Sequence, residues 1–151
     1  MERAIELSIE NAKNRQGGPF GATIVKDGVI ISEGTNMVTM LKDPSGHAEV
    51  IAIRKACKEL NTHDLTGCEI YTSCCPCSMC FACIRWARID KIYYANTRED
   101  AHNIGFSDLE IHEELKHIMN GCATPNFIHI KNDKAIEAFK IWENDKDKIK
   151  Y

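Results

Sequence analysis

The chain has 151 residues, 44% of them hydrophobic, and a formal net charge of −3. This length and composition suit one domain, residues 1–151, whose core needs no disulfide bonds. The acidic balance argues against a large phosphate-binding surface, so nucleic acid is not an expected partner. No apolar run approaches the roughly 20 residues needed to cross a bilayer, and we expect no membrane-spanning segment.

The first half of the chain alternates helical and extended patterns. Residues 3–13 place apolar side chains at helical spacing, and the Gly-Gly-Pro sequence that follows ends this helix. Two short apolar runs, 20–25 and 29–32, flank an Asp-Gly turn and predict an antiparallel hairpin. A second helical pattern covers residues 47–60.

The second half continues this alternation. The pattern predicts a buried strand at 68–72, a helix at 77–88 and another strand at 91–95. So short a crossover favours a parallel strand pair, and the sheet is therefore predicted to be mixed. Three more elements follow: a helix at 107–119 capped by Ser107, a short strand at 127–130 and a helix at 133–148. These elements make an α/β protein with a five-stranded mixed sheet, an antiparallel hairpin plus parallel strands.

Five of the eight cysteines lie within ten positions, from Cys74 to Cys83. Pro76 suits the first turn of a helix, which would place Cys77 and Cys80 on one helix face as two thiolates that share a metal. The amide groups at a helix start favour negative charge and lower the pKa of thiols. A Cys-x-x-Cys pair alone could also be a redox pair, so a third ligand has to be found elsewhere.

The third ligand is best sought in His47, which opens the second predicted helix two residues before Glu49. His47, Cys77 and Cys80 give three protein ligands, and a catalytic zinc ion keeps its fourth position for water. Zinc lowers the pKa of bound water to about 7, and a nearby carboxylate can carry the proton. Glu49 is the candidate proton shuttle, and we expect one Zn²⁺ per chain.

His-x-Glu followed by Pro-Cys-x-x-Cys is the signature of the zinc-dependent nucleobase deaminases. With these residues in place, the chain resembles the cytidine and deoxycytidylate deaminase superfamily along nearly its whole length, and its flanking segments are most similar to the bacterial guanine deaminase branch. The segments that carry this resemblance are Gly17-Gly-Pro-Phe-Gly-Ala22, Asn36, Thr72-Ser-Cys74, Trp86-Ala-Arg88, Gly105-Phe-Ser-Asp108 and the C-terminal tyrosine.

The resemblance implies a three-layer α/β/α fold of the cytidine deaminase type and hydrolysis of guanine to xanthine and ammonia. Activated water would attack guanine C2 while Glu49 moves protons. Phe20 would stack on the purine, Asn36 and Asp108 would hydrogen-bond its polar edge, Trp86 would wall the pocket, and Tyr151 would close it. The branch also implies a homodimer that exchanges its C-terminal segment. Because the cysteines cluster and the N-terminus resembles no signal peptide, we expect a cytoplasmic protein.

Two departures from the family pattern stand out. Cys75 occupies a position where relatives commonly have Glu, and Cys83 a position that is usually small. A thiol cannot make the hydrogen bonds of a carboxylate, and Cys75 could compete for zinc or simply fill the space.

Other functions remain open at this stage. The same chemistry could serve a tRNA adenosine deaminase, which needs a flipped base, or a cytosine, cytidine or guanosine deaminase. The non-enzymatic alternative is a structural zinc module whose fourth ligand is Cys74, Cys75 or Cys83. A structural site would not need Glu49 beside the metal.

Overall fold

The computed structural model describes residues 1–121, 124, 126–130, 132 and 134–149. The chain divides into two compact units, Met1–Asp108 and Leu109–Tyr151. That residues 1–151 form a single domain stays a prediction. Among the described helices, none combines the length and the apolar character that a membrane span requires.

The first unit contains a sheet and its helices. In chain order its elements are α1 (Glu2–Lys13), β1 (Gly21–Lys26), β2 (Val29–Thr35), α2 (Val38–Leu41), α3 (Ala48–Glu59), β3 (Cys68–Cys74), α4 (Ser78–Trp86), β4 (Lys91–Asn96) and α5 (Arg98–Asn103). The second unit contributes α6 (Leu109–Met119) and α7 (Ala135–Asn144). Both are shorter than the sequence pattern predicted, as is common where helix ends fray.

The sheet is mixed, as predicted. Its strand order is β2-β1-β3-β4, and β1 runs antiparallel to both of its neighbours. Strands β3 and β4 are parallel and are joined through α4, which is the crossover that the strand-helix-strand pattern predicted.

The predicted fifth strand, residues 127–130, is wrong. The sheet has four strands, and in the described part of this segment only Phe127 makes a β-bridge, an isolated one to Thr124. Alternating apolar residues resemble a strand, but a strand forms only where a neighbour pairs with several consecutive residues. Phe127, Ile128 and Ile130 are instead exposed.

Helices pack on both faces of the sheet, which confirms the three-layer α/β/α architecture. A Cβ atom at Gly21 of β1 would collide with the backbone of Ala4 and Ser8 in α1. A Cβ atom at Gly34 of β2 would collide with Ala48 and Ala52 in α3. Gly34 pairs with Ala22, the residue next to Gly21, and neighbouring strand residues point to opposite faces. Helices α1 and α3 therefore cover opposite faces of the sheet.

The core lies between the sheet and helices α3 and α4. Its largest fully buried apolar side chains are Ile24, Leu65, Ile70, Ile84 and Ile89. Burial of each such side chain contributes about 1.5–3 kcal/mol to folding. This packing fixes the starts of α3 and α4 relative to the sheet.

Two short helices were not predicted. Helix α2 spans only four residues and α5 only six, too few for a clear periodic pattern. Helix α5 nevertheless carries a capping box, in which Thr97 Oγ1 accepts from the Asp100 amide at 3.1 Å and Asp100 Oδ2 accepts from the Thr97 amide at 2.8 Å. A Thr-x-x-Asp signal in the sequence could have revealed it.

Candidate metal centre

Two helix starts present the side chains of His47 and Cys77. His47 is the N-cap of α3 and Cys77 the N-cap of α4, both with extended backbone (ψ 154° and 170°). Extended caps let these side chains project beyond the helix ends. Pro76 therefore precedes the N-cap of α4, whereas the sequence analysis placed it in the first turn of that helix. Cys80 lies within this first turn and is fully buried.

The three side chains meet. His47 Nδ1 lies 3.6 Å from Cys77 Sγ and 3.5 Å from Cys80 Sγ, and all three atoms lie within 4.8 Å of one another. Zinc bonds of about 2.0–2.1 Å to nitrogen and 2.3 Å to sulfur, arranged tetrahedrally, place such atoms about 3.6 Å apart. The geometry and the donor set therefore fit one zinc ion.

No other cysteine that the structure describes joins this cluster. Within the described residues, His47, Cys77 and Cys80 form the sole group of three or more candidate ligands. Cys74, Cys75 and Cys83 are described and lie outside it. Three protein ligands with one open position are typical of a catalytic zinc site, whereas structural sites are closed by four.

The three candidate ligands shift one another's pKa values. Hydrogen bonds from Cys80 and then His47 lower the pKa of Cys77 to about 4, against the opposing effect of burial. The same contact with Cys77 raises the pKa of Cys80, and burial raises it further. The hydrogen bond to Cys77 also raises the pKa of His47. The Cys77 thiolate thus accepts one hydrogen bond from Cys80 and one from His47. A metal ion would take the place of the two protons in these bonds.

Glu49 lies in the first turn of α3 beside the cluster. It is buried and within hydrogen-bonding reach of the Cys80 thiol. Burial raises the pKa of Glu49 above that of an ordinary carboxyl group, because the charged form is poorly solvated there. A carboxyl group with a raised pKa is suited to give and take protons nearer neutral pH.

Phe20 and Asn36 occupy adjacent segments of the first unit. The ring of Phe20 packs edge-on against Phe106, with ring centroids 5.0 Å apart. Asn36 is 7% exposed, and its Oδ1 accepts from the amides of Gly18 and Val38, both at 3.3 Å. Two N–H donors identify this atom as the oxygen, and the side-chain NH₂ group is left to donate elsewhere.

Asp108 is a partly buried carboxylate. Its Oδ1 lies 3.7 Å from Arg98 Nε, and its Oδ2 is buried with no hydrogen-bond partner among the described residues. A buried acceptor without a donor costs free energy, and a ligand with N–H groups would satisfy it. Arg98 also donates to the carbonyl of Pro76 at 3.5 Å, beside the cluster.

The remaining two predicted substrate residues stay predictions. Trp86 ends α4 and is 67% exposed, about 9 Å along the helix axis from Cys80. Tyr151 lies outside the described residues.

Asn11 and Phe106 contact the segments of Asn36 and Phe20 and were not predicted as site residues. The signal for Asn11 was a polar residue on the buried face of an amphipathic helix. Phe106 lies within the Gly-Phe-Ser-Asp segment, but nothing local predicted its contact with Phe20.

Comparison with known proteins agrees with this geometry. Residues 1–96 match the model of the cytidine and deoxycytidylate deaminase zinc-binding region. Over its whole length the chain is 44% identical to the guanine deaminase of Bacillus subtilis, of which it covers 96%. The crystal structure of that protein superposes with a TM-score of 0.93, covering 99% of this chain and 95% of the other.

Two further relatives are similar over shorter stretches. A tRNA-specific adenosine deaminase of Aquifex aeolicus is 49% identical over 77 residues, 51% of this chain and 51% of that protein. The structure of a guanine deaminase from Nitrosomonas europaea is 34% identical, with a TM-score of 0.67 over 70% of this chain and 62% of the other.

Replacing one candidate ligand should release the metal. We expect Cys80→Ser to reduce zinc retained after dialysis from about one ion per chain towards none, because a neutral hydroxyl is a poor zinc ligand beside a thiolate. Atomic absorption on the purified protein measures this content. Cys83→Ser, three residues further along α4, is the matched control and should keep its zinc. Equal loss from both variants would contradict the assignment.

Proposed function

Because the chain belongs to the cytidine and deoxycytidylate deaminase family, we propose that it hydrolyses guanine to xanthine and ammonia. The observation that carries the proposal is the whole-chain likeness to the Bacillus subtilis guanine deaminase, in fold as well as in sequence. The tRNA-specific adenosine deaminases resemble a smaller part of the chain.

His47, Cys77 and Cys80 would hold one zinc ion, as their spacing and burial support. Zinc supplies a Lewis acid that makes water nucleophilic near neutral pH. The N-terminal ends of α3 and α4 add partial positive charge at this point, because both helices begin at the cluster. No other candidate ligand in the described residues joins the three, so an ion held by them would keep a position for water.

Glu49 moves the protons of the reaction. It takes one proton from the attacking water as the oxygen bonds to guanine C2 and delivers it to the neighbouring ring nitrogen, and it then carries the remaining hydroxyl proton to the departing amino group. The C2–N bond breaks, ammonia leaves, and the oxygen becomes the new carbonyl of xanthine. The buried position of Glu49 keeps bulk water from competing for these protons.

The base is held by residues away from the metal. Phe20, braced by Phe106, would offer an aromatic face for stacking. The NH₂ group of Asn36 would donate to an acceptor on the purine edge. The unpartnered oxygen of Asp108 would accept from N–H groups, which guanine presents at N1 and at the 2-amino group. Trp86 and Tyr151 would complete the pocket.

A second candidate function is deamination of adenosine in tRNA. The local identity to the Aquifex aeolicus enzyme favours it. The formal net charge of −3 opposes it, since an RNA substrate needs a positively charged surface. Cytosine, cytidine and guanosine are further alternatives with the same chemistry.

We infer that the active form is a homodimer. No described residue of α6 or α7 is buried, and α7 carries an exposed apolar stripe of Ile136, Phe139 and Trp142 at helical spacing. Contiguous apolar surface of this kind marks an interaction site. A second copy of the chain is the proposed occupant, with exchange of the C-terminal segment between subunits. The reducing cytoplasm suits such an enzyme, because cysteine ligands must stay reduced to bind zinc.

The substrate can be identified by ammonia release. We expect the zinc-loaded protein to release ammonia from guanine, and not from adenine, cytosine or cytidine, because Asp108 would accept from the adjacent N1–H and 2-amino groups, which guanine alone among these four presents. An RNA hairpin with adenosine in its loop should also give none. Ammonia only from the RNA or from a nucleoside would refute guanine as the substrate.

Removal of the proton carrier should separate zinc binding from catalysis. Glu49→Gln keeps the shape of the side chain but cannot take up a proton, so kcat for guanine should fall by about 10²–10⁴-fold. Zinc content should stay at about one per chain. Glu59→Gln, the same change at the exposed end of α3, is the control and should retain full activity. Robust turnover by Glu49→Gln would contradict the mechanism.

A charge in the apolar stripe of α7 should disrupt the dimer. Phe139 is 72% exposed in the chain, so Phe139→Glu should not unfold it but would place an unpaired charge in the proposed interface. Light scattering should give twice the chain mass for the unaltered protein and a single mass for the variant. Lys140→Glu, the neighbouring exposed position, should remain dimeric. A monomeric unaltered protein would rule out the proposal.

A further inference from the structure

Asn11 is a polar residue on the buried face of α1. Its neighbours on that face are Ala4, Leu7 and Ser8, and Asn11 itself is 2% exposed. A buried carboxamide costs free energy unless its polar atoms are hydrogen-bonded. Its partners therefore indicate what it contributes.

The side-chain NH₂ group of Asn11 bridges two separate segments. Asn11 Nδ2 donates to the carbonyl of Gly18 at 2.8 Å and to the carbonyl of Asn36 at 3.0 Å. The first carbonyl belongs to the loop before β1 and the second to the loop after β2. Both of the donors that a carboxamide possesses are thus used to hold these loops.

The bridged segments carry the proposed base-binding residues. The Phe20 amide donates to the Gly18 carbonyl at 2.8 Å, and the Asn36 amide donates to the Phe20 carbonyl at 3.1 Å. Asn36 Oδ1 accepts in turn from the Gly18 amide. Gly17 allows the two loops to approach, because a Cβ atom there would collide with the Asn36 carbonyl. These hydrogen bonds join the two loops to each other, and Asn11 joins both loops to α1.

We propose that Asn11 is a positioning residue for the purine pocket, which it sets by clamping the segments of Phe20 and Asn36 to α1. The inference rests on the proposed function, since it takes Phe20 and Asn36 as the residues that hold the base. Asn11 itself touches neither the metal cluster nor the reacting atoms. It acts on base binding through the two loops.

The oxygen of the same side chain supports this role. Asn11 Oδ1 is buried and has no hydrogen-bond partner among the described residues. A buried unpaired oxygen is a cost to folding, and it offsets part of what the two N–H donors contribute. The contribution of Asn11 thus lies in its two N–H donors. An aspartate has the same shape but only accepts hydrogen bonds, and would face two carbonyl oxygens.

The test compares three variants of the full, zinc-loaded chain. Asn11→Asp removes the donors with little change in shape, and Asn11→Ala removes them without adding charge. Ser8→Ala is the matched control, because it removes one hydrogen bond at a similarly buried site of α1, from Ser8 Oγ to the Ile5 carbonyl at 2.7 Å, without touching either loop. If Asn11→Asp does not fold, Asn11→Ala carries the test.

We expect both Asn11 variants to raise KM for guanine about tenfold or more with kcat changed by less than about threefold. Loss of binding that is equal in the ground and transition states raises KM and leaves kcat unchanged. Zinc content should stay at that of the unaltered protein. Calorimetry in a Glu49→Gln background should show the same weakening of guanine binding, and the amides of Gly18 and Val38 should exchange hydrogen faster. Ser8→Ala should change none of these.

Contrary outcomes are distinguishable. Unchanged KM and guanine binding in both Asn11 variants would overturn the inference and leave the proposed function standing. A loss of kcat and zinc together, matched in Ser8→Ala, would make Asn11 a general stability residue and also overturn it. No ammonia from guanine with the unaltered zinc-loaded protein would overturn the proposed function, and the inference with it.

Discussion

The convergence of two helix starts on one point is the constraint on which the rest of the structure depends. His47 and Cys77 cap α3 and α4, and their side chains approach within 3.6 Å. A small shift of either helix along the sheet would separate them. Helix α3 lies close against β2 because Gly34 has no side chain to keep them apart. A 2.7 Å hydrogen bond from Ser32 Oγ to the Ala52 carbonyl holds it there. Helix α4 is held at the strand ends, where the Cys75 amide donates to the Asn96 carbonyl at 2.8 Å.

This arrangement concentrates charge effects in a small buried volume. Helix ends favour a thiolate at Cys77, and the hydrogen bonds it accepts favour it further. Burial has the opposite effect on Glu49, whose pKa is raised because water is excluded from its carboxyl group. One fold thus presents a stabilised anion and a proton-binding carboxyl group side by side. Such opposed environments are how proteins divide acid, base and ligand roles among neighbouring groups.

How much of this could be predicted depended on whether the signal was local. Long periodic segments such as α1, α3 and β3 were predicted to within a few residues, because burial imposes their spacing. The three candidate metal ligands could be brought together from the sequence because zinc chemistry restricts ligands to few residue types at fixed spacing, and their side chains do meet in the structure. The four-residue α2 is too short to show a helical repeat of apolar residues. Residues 127–130 include alternating apolar and polar side chains, as a strand does, but no neighbouring strand of the sheet pairs with them. The clamp made by Asn11 joins loops 7 and 25 residues away, which a pattern along the chain does not reveal.

On the proposed roles, the chemistry and the choice of substrate depend on different parts of the molecule. The cluster of His47, Cys77 and Cys80 depends on α3 and α4, whereas the segments of Phe20 and Asn36 depend on α1 through Asn11. The match to the family model ends at residue 96, before Phe106 and Asp108. A protein built this way can change the base it accepts by altering loops and the segment after β4 while its metal cluster stays intact. The proteins similar to this chain include a guanine deaminase and a tRNA-specific adenosine deaminase, and on the proposed roles the loops, not the cluster, would decide between such substrates.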